Sequence, residues 1–259
     1  MVALGVGAWG QAPGAAKAED ASPEAAAVKV LVAAYNDPVG TPTGFDAALD
    51  NFRLQFPQSQ QMLAALVLGV RYHRARNEYL PELRYGMAAL AMDPQDLYVL
   101  SSLGIAIPDN VKNSDLDRDA QLDRAAGFDQ QVIAAAATWM IGPAGLEYGG
   151  RHYTEAQATT MRNNLEGPAY LSLGRIASLR EKPAEAIAAY QKALGFETAP
   201  ERQAQLYYDI GAAEVMQNHG PEARAALAKA RQLAPNADLL MKMVAAEEAK
   251  LGPAAGGGQ

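Results

Sequence analysis

The chain contains no cysteine. Disulfides, thiolate zinc sites, iron–sulfur clusters and a cysteine nucleophile are therefore excluded. Aromatic residues supply only 7% of the 259 positions. Alanine consequently carries much of the apolar content, and alanine has the best helix propensity. Basic charge is also short: 22 Lys and Arg stand against 29 Asp and Glu, a net charge of −7. A general nucleic-acid binder needs a basic face to displace counterions from phosphates, so no nucleic-acid partner is expected. No apolar run reaches the ~20 residues that cross a bilayer, so no membrane span is expected either.

Residues with catalytic chemistry are sparse. His73, His152 and His219 are the only histidines. None lies at i, i+3 or i+4 from another, which removes the H-E-x-x-H zinc helix. No nucleophile elbow or P-loop is present. Gly5-x-Gly7-x-x-Gly10 matches a dinucleotide fingerprint formally, but no βαβ unit surrounds it. Asp115, Asp117, Asp119 and Asp123 echo a calcium loop. Such a loop needs Gly at its sixth position and Glu at its twelfth, and Ala120 and Ala126 stand there. The expectation is therefore no enzyme, no cofactor and no metal. His73 is expected to pack, while His152 and His219 are expected in exposed turns.

Several stretches carry helix signals. Ser22-Pro23-Glu24 reads as a helix start, with Val28, Leu31, Val32 and Tyr35 following at helical spacing. Asn36-Asp37-Pro38 stops that helix, and Phe45 to Phe56 repeats the 3.6-residue period before Pro57. No segment alternates over a full strand length. Ser114 to Trp139 reads as one long helix. Ile141 to Tyr153 reads as a glycine-rich loop, and Gly167-Pro168 is expected to kink or break the next helix.

The C-terminal third repeats itself. Tyr170, Leu173, Gly174, Ala186 and Ala193 match Tyr207, Ile210, Gly211, Ala223 and Ala230 at one offset of 37 (211 − 174, 223 − 186). This pattern resembles the tetratricopeptide (TPR) family, a helix–turn–helix repeat with L-G and A-x3-F signatures. Leu100-x-x-Leu103-Gly104 starts a similar unit. Gly69 to Pro94 forms another, its glycine one position out of register. The resemblance implies an all-α, TPR-like α-solenoid with an irregular insertion in the middle. Its segments are 1–21 (linker and signal-peptide remnant), 22–107 (helical pairs), 108–166 (insertion), 167–251 (repeats and capping helix) and 252–259 (tail). The apolar run Val2 to Ala12 ends in small residues, as secretory signals do. It points to a bacterial, exported, periplasmic or secreted protein.

Members of this family bind peptides or proteins in a groove lined by the first helix of each repeat. Carried over position by position, the resemblance places Tyr98, Ser101 and Ile105 there. It adds Leu171, Arg175 and Ser178, then Tyr208, Asp209 and Ala212. The Lys and Asn that capture a C-terminal carboxylate in some members are missing from these positions. The expected function is a non-catalytic protein–protein interaction scaffold. The alternatives are self-association by end-to-end stacking, and a ligand-binding or enzymatic site centred on 108–166.

Overall fold

The computed structural model describes residues 22–37 and 39–252. The signal-like run and the Gly-rich tail lie outside the described residues. Contacts divide the chain into two compact units between Pro94 and Gln95. The first holds α1 (Pro23–Asn36), α2 (Pro42–Gln55), α3 (Met62–Arg74) and α4 (Tyr79–Met92). The second holds α5 (Leu97–Asn110), α6 (Arg118–Ala137), α7 (Glu155–Leu179) and α8 (Pro183–Leu194). It continues with α9 (Pro200–Met216), α10 (Gly220–Leu233) and α11 (Asp238–Lys250). Successive helices pack as pairs, α1 with α2 through α9 with α10, and α11 closes on α9 and α10. The arrangement is all-α and TPR-like.

Local chemistry sets the helix ends. Ser22 Oγ accepts from Ala25 N at 3.0 Å and Asp96 Oδ1 from Val99 N at 2.9 Å, each satisfying an orphan donor of the first turn. Thr154 and Gln157 form a reciprocal capping box at the start of α7. Three of the turns inside pairs place a residue in the left-handed region: Asn77, Glu181 and Asn218.

A glycine marks the crossing in each of three pairs. Gly69 lies against Tyr85, Gly174 against the Tyr190 ring and Gly211 against Leu227. The separations 85 − 69, 190 − 174 and 227 − 211 are all 16. Gly69 is therefore in register with its own filler, although its flanking pattern reads one position out. A Cβ at Gly174 would stand only 2.4 Å from the Tyr190 ring, so close approach of the backbone demands glycine there.

The insertion differs from expectation in three places. The long helix is shorter than Ser114–Trp139, because Asp115 turns the chain ahead of it: Lys112 N donates to Asp115 Oδ2 and Arg118 N to Asp115 O. The expected loop contains a hairpin, β1 (Leu146–Tyr148) and β2 (Arg151–Tyr153), paired antiparallel with Glu147 opposite His152. Its two-residue turn is Gly149-Gly150, both with positive φ, which matches the twist of paired strands. Finally, Pro168 does not break α7, which runs through it for 25 residues. Its missing N–H frees the carbonyl of Asn164, an exposed residue. Buried Leu165, Glu166, Ala169 and Ser172 hold both halves of that helix in the core.

Candidate interaction surface

The first helices of the three pairs in the second unit are α5, α7 and α9. They carry all nine expected groove residues, and every one of the nine is half-buried. On α5, Tyr98, Ser101 and Ile105 follow i, i+3, i+7 spacing, which keeps them on one face. Asp109 extends that stripe by one more turn. It accepts from Arg175 of α7 at 2.5 Å, tying the two helices together across the face.

A second polar group lies between α7 and α9. The Tyr190 hydroxyl, reaching up from α8, meets Ser178 Oγ at 3.1 Å. Burial, with Asp209 beside it, pushes the Tyr190 phenol up to about 12. Asp209 of α9 accepts from Gln205 Nε2 at 3.0 Å. Burial pushes the Asp209 carboxyl up to about 6, against the opposing pull of Gln205 and the Arg175 charge. No cation stands within ion-pairing distance of Asp209 among the described residues. The neighbouring Tyr208 phenol is also raised, chiefly by burial and then by Glu247 of α11 and Asp209. Arg175, Ser178 and Asp209 are thus gathered around Tyr190. Tyr208 leans instead toward the core shared with α10 and α11.

Asp109, Gln205 and Glu247 act on members of the nine and are absent from them. Asp109 was findable as the next member of the α5 stripe. Glu247 was not, because only the packing of α11 brings it to Tyr208. A cleft of about 870 Å³ adjoins the surface at Ser178, with Arg118, Asp123, Arg180, Lys182 and Met216 around it. Its cations are already engaged: Arg180 pairs with Asp123 at 2.5 Å and Lys182 with Glu185 at 3.0 Å.

The three histidines separate cleanly. His73 is fully buried, stacked on Tyr85 and edge-on to Phe45. Its ring nitrogens face Asp46 Oδ1 at 3.0 Å and Glu78 Oε2 at 2.8 Å. His152 and His219 are exposed and pair with Glu147 and Glu214. No group of three or more His, Asp or Glu that could hold a metal occurs among the described residues.

No protein-family model matches the sequence, and no curated protein matches it. One solved structure is similar, that of a thermophilic TPR protein from Thermus thermophilus. It is 18% identical, with a TM-score of 0.48 over 86% of this chain and 98% of that one. The fold is TPR-like on its own register. Five successive helix pairs and the recurring glycine crossing support that description without the neighbour. Among the described residues, no helix is long and apolar enough to cross a membrane.

Proposed function

We propose that the chain is a non-catalytic interaction scaffold that takes a peptide or protein segment on the α5–α7–α9 face. The observation that supports this reading most is the face itself. The Arg175–Asp109 pair joins α5 to α7 across half-buried residues, and Asp209 on α9 feels the Arg175 charge but has no cation within ion-pairing distance among the described residues. A half-buried carboxylate lacking a cation favours a segment that brings a Lys or Arg beside apolar side chains. Tyr98, Ile105, Leu171 and Ala212 would meet the apolar part, and Ser101 and Ser178 its polar edge.

Peptide arrays presenting one Lys, Glu or Ala in a short apolar frame test this. The Lys set should bind best. Ile105→Ala and Asp209→Asn should each weaken it by about tenfold, roughly 1.4 kcal/mol. Binding that survives both changes would sink the assignment. The sign with pH follows from Asp209, which offers a charge only above about 6. Affinity for the Lys set should therefore fall as pH drops from 7 to 5, and the Ala set should stay flat.

Self-association is the second reading, favoured by apolar exposure in the first unit. Leu54 and Met92 are 82% and 51% exposed and line one cleft of about 600 Å³ with Met62 and Leu66. A mass by light scattering that stays monomeric at all concentrations removes it. The apolar run ahead of Ala12 supports export, which fractionation of expressing cells would check.

A further inference from the structure

The pair α5/α6 breaks the pattern of the other glycine crossings. Gly104 occupies the place of Gly69, Gly174 and Gly211, yet the side chain against it is Asp129. A Cβ at Gly104 would stand 2.2 Å from Asp129 Oδ1. A carboxyl thus fills the position that Tyr85, Tyr190 and Leu227 fill elsewhere. Asp129 is fully buried, and neither of its oxygens has a hydrogen-bond partner among the described residues.

The surroundings offer no charge to hold an anion. On α6 itself the flanking turns present Leu122, Ala125, Val132 and Ala136, all buried. On α5 the contact is the Gly104 backbone between Leu103 and Ile107. On α7 the nearest polar group is the Ser172 hydroxyl. That hydroxyl is already committed. Pro108 has no N–H, so the Gly104 carbonyl one turn earlier lacks its helical partner. Ser172 Oγ donates to that carbonyl at 2.8 Å, in a fully buried position. A neutral carboxyl can donate, and Ser172 Oγ keeps a lone pair to receive it.

We propose that Asp129 is a proton-operated latch: as a neutral acid it seats α6 on α5 and α7, and on losing its proton it releases α6. The physical cause is the cost of an unpaired buried anion, which exceeds that of local opening. Burial pushes the carboxyl up to about 8. The folded form therefore holds a proton that the unfolded form has already lost above about pH 4. Stability from this group is complete below about pH 4 and declines as pH rises toward about 8, beyond which both forms are ionised. The helices it secures, α5 and α7, carry six of the nine surface residues, so release of α6 would loosen that face.

Hydrogen exchange on the full chain between pH 5 and 9, corrected for intrinsic rates, reads the latch directly. The opening constant of α6 in the wild type, relative to Asp129→Asn, should rise about tenfold per pH unit up to about 8, then level off. Protection in α9 and α10 should not follow it. Asp129→Leu, which copies the Leu227 crossing, should protect α6 better than wild type at pH 8 and show no such slope. A wild-type-to-Asn ratio that stays constant over this range overturns the proposal. Should either variant fail to fold, carboxyl ¹³C titration of the wild type decides alone. A midpoint near 8 supports the latch, and one near 4 overturns it.

Discussion

In residues 22–94 the helices are fastened by rings and charge, whereas in residues 95–252 small residues do most of that work. Phe45 stacks on Tyr72 at 3.9 Å between ring centroids, and Tyr35 approaches both edge-on or tilted. His73 joins Asp46 to Glu78, and the Tyr85 hydroxyl donates to Asp46 at 2.6 Å. That bond and burial raise the Tyr85 phenol well above its ordinary value. Arg84 lies over the same ring at 4.3 Å. In the second unit, Ala177, Ala186, Ala193 and Ala213 bring α7, α8 and α9 together around a single Tyr190. One unit depends on a few connected side chains. The other depends on many small ones and a repeated backbone approach. Their weak points should differ accordingly.

The largest expected effect is His73→Ala. It opens a cavity under Tyr85 and removes the bridge between Asp46 and Glu78, leaving Asp46 only the Tyr85 hydroxyl and Arg84. A loss of about 3–5 kcal/mol is expected. Hydrogen exchange should show it in α2, α3 and α4 alone. An equal loss of protection in α8–α10 would end the contrast between the units.

Gly174→Ala is the matching probe for the second unit. Its new methyl would press on the Tyr190 ring, and overpacking of this kind costs ~1–3 kcal/mol. The better helix propensity of alanine returns up to ~1 kcal/mol, leaving a net loss of up to about 2 kcal/mol. Urea unfolding with exchange read in α7–α9 checks it. A stabilised variant would mean that the crossing tolerates separation and that glycine is there for another reason.

The two units were not equally legible in the sequence. The glycine-to-filler spacing of 16 was written plainly in the second unit, where the pairs from Tyr170 and Tyr207 share one offset. The half-buried residues of α5 follow from the family resemblance carried over position by position, and their i, i+3, i+7 spacing then keeps them on one face. Asp129 was also visible in principle, since Leu122, Ala125, Asp129, Val132 and Ala136 form one apolar stripe with an acid at its centre. A repeat pattern conceals it, because the extended turn before α6 lengthens the glycine separation from 16 to 25 (129 − 104). The His73 network was not legible. Its members come from positions 46, 73, 78 and 85, and only the packing of α2 against α3 and α4 joins them. Pro168 does not end its helix, because the buried residues on both sides of it hold the two halves in the core, which is a fact of packing rather than of sequence.

The smallest effect concerns the turns, where the two units are alike. Asn77 and Asn218 tolerate the left-handed region because a short amide side chain suits it. Glu181 occupies the same region at φ 56° in the α7–α8 turn. A residue of that kind there costs ~1–2 kcal/mol of backbone strain. The turn keeps it because Lys182 N donates to Ala177 O at 2.9 Å and Glu181 N to Ser178 O at 3.0 Å, closing the end of α7. Glu181→Asn preserves both bonds and copies the sister turns. It should raise stability by about 0.5–1 kcal/mol, seen as a higher urea midpoint with an unchanged slope. The same substitution at Glu201, exposed on α9, offers a control without backbone strain and should not stabilise. A gain at both sites would trace the effect to removing negative charge from a chain of net charge −7 rather than to the turn.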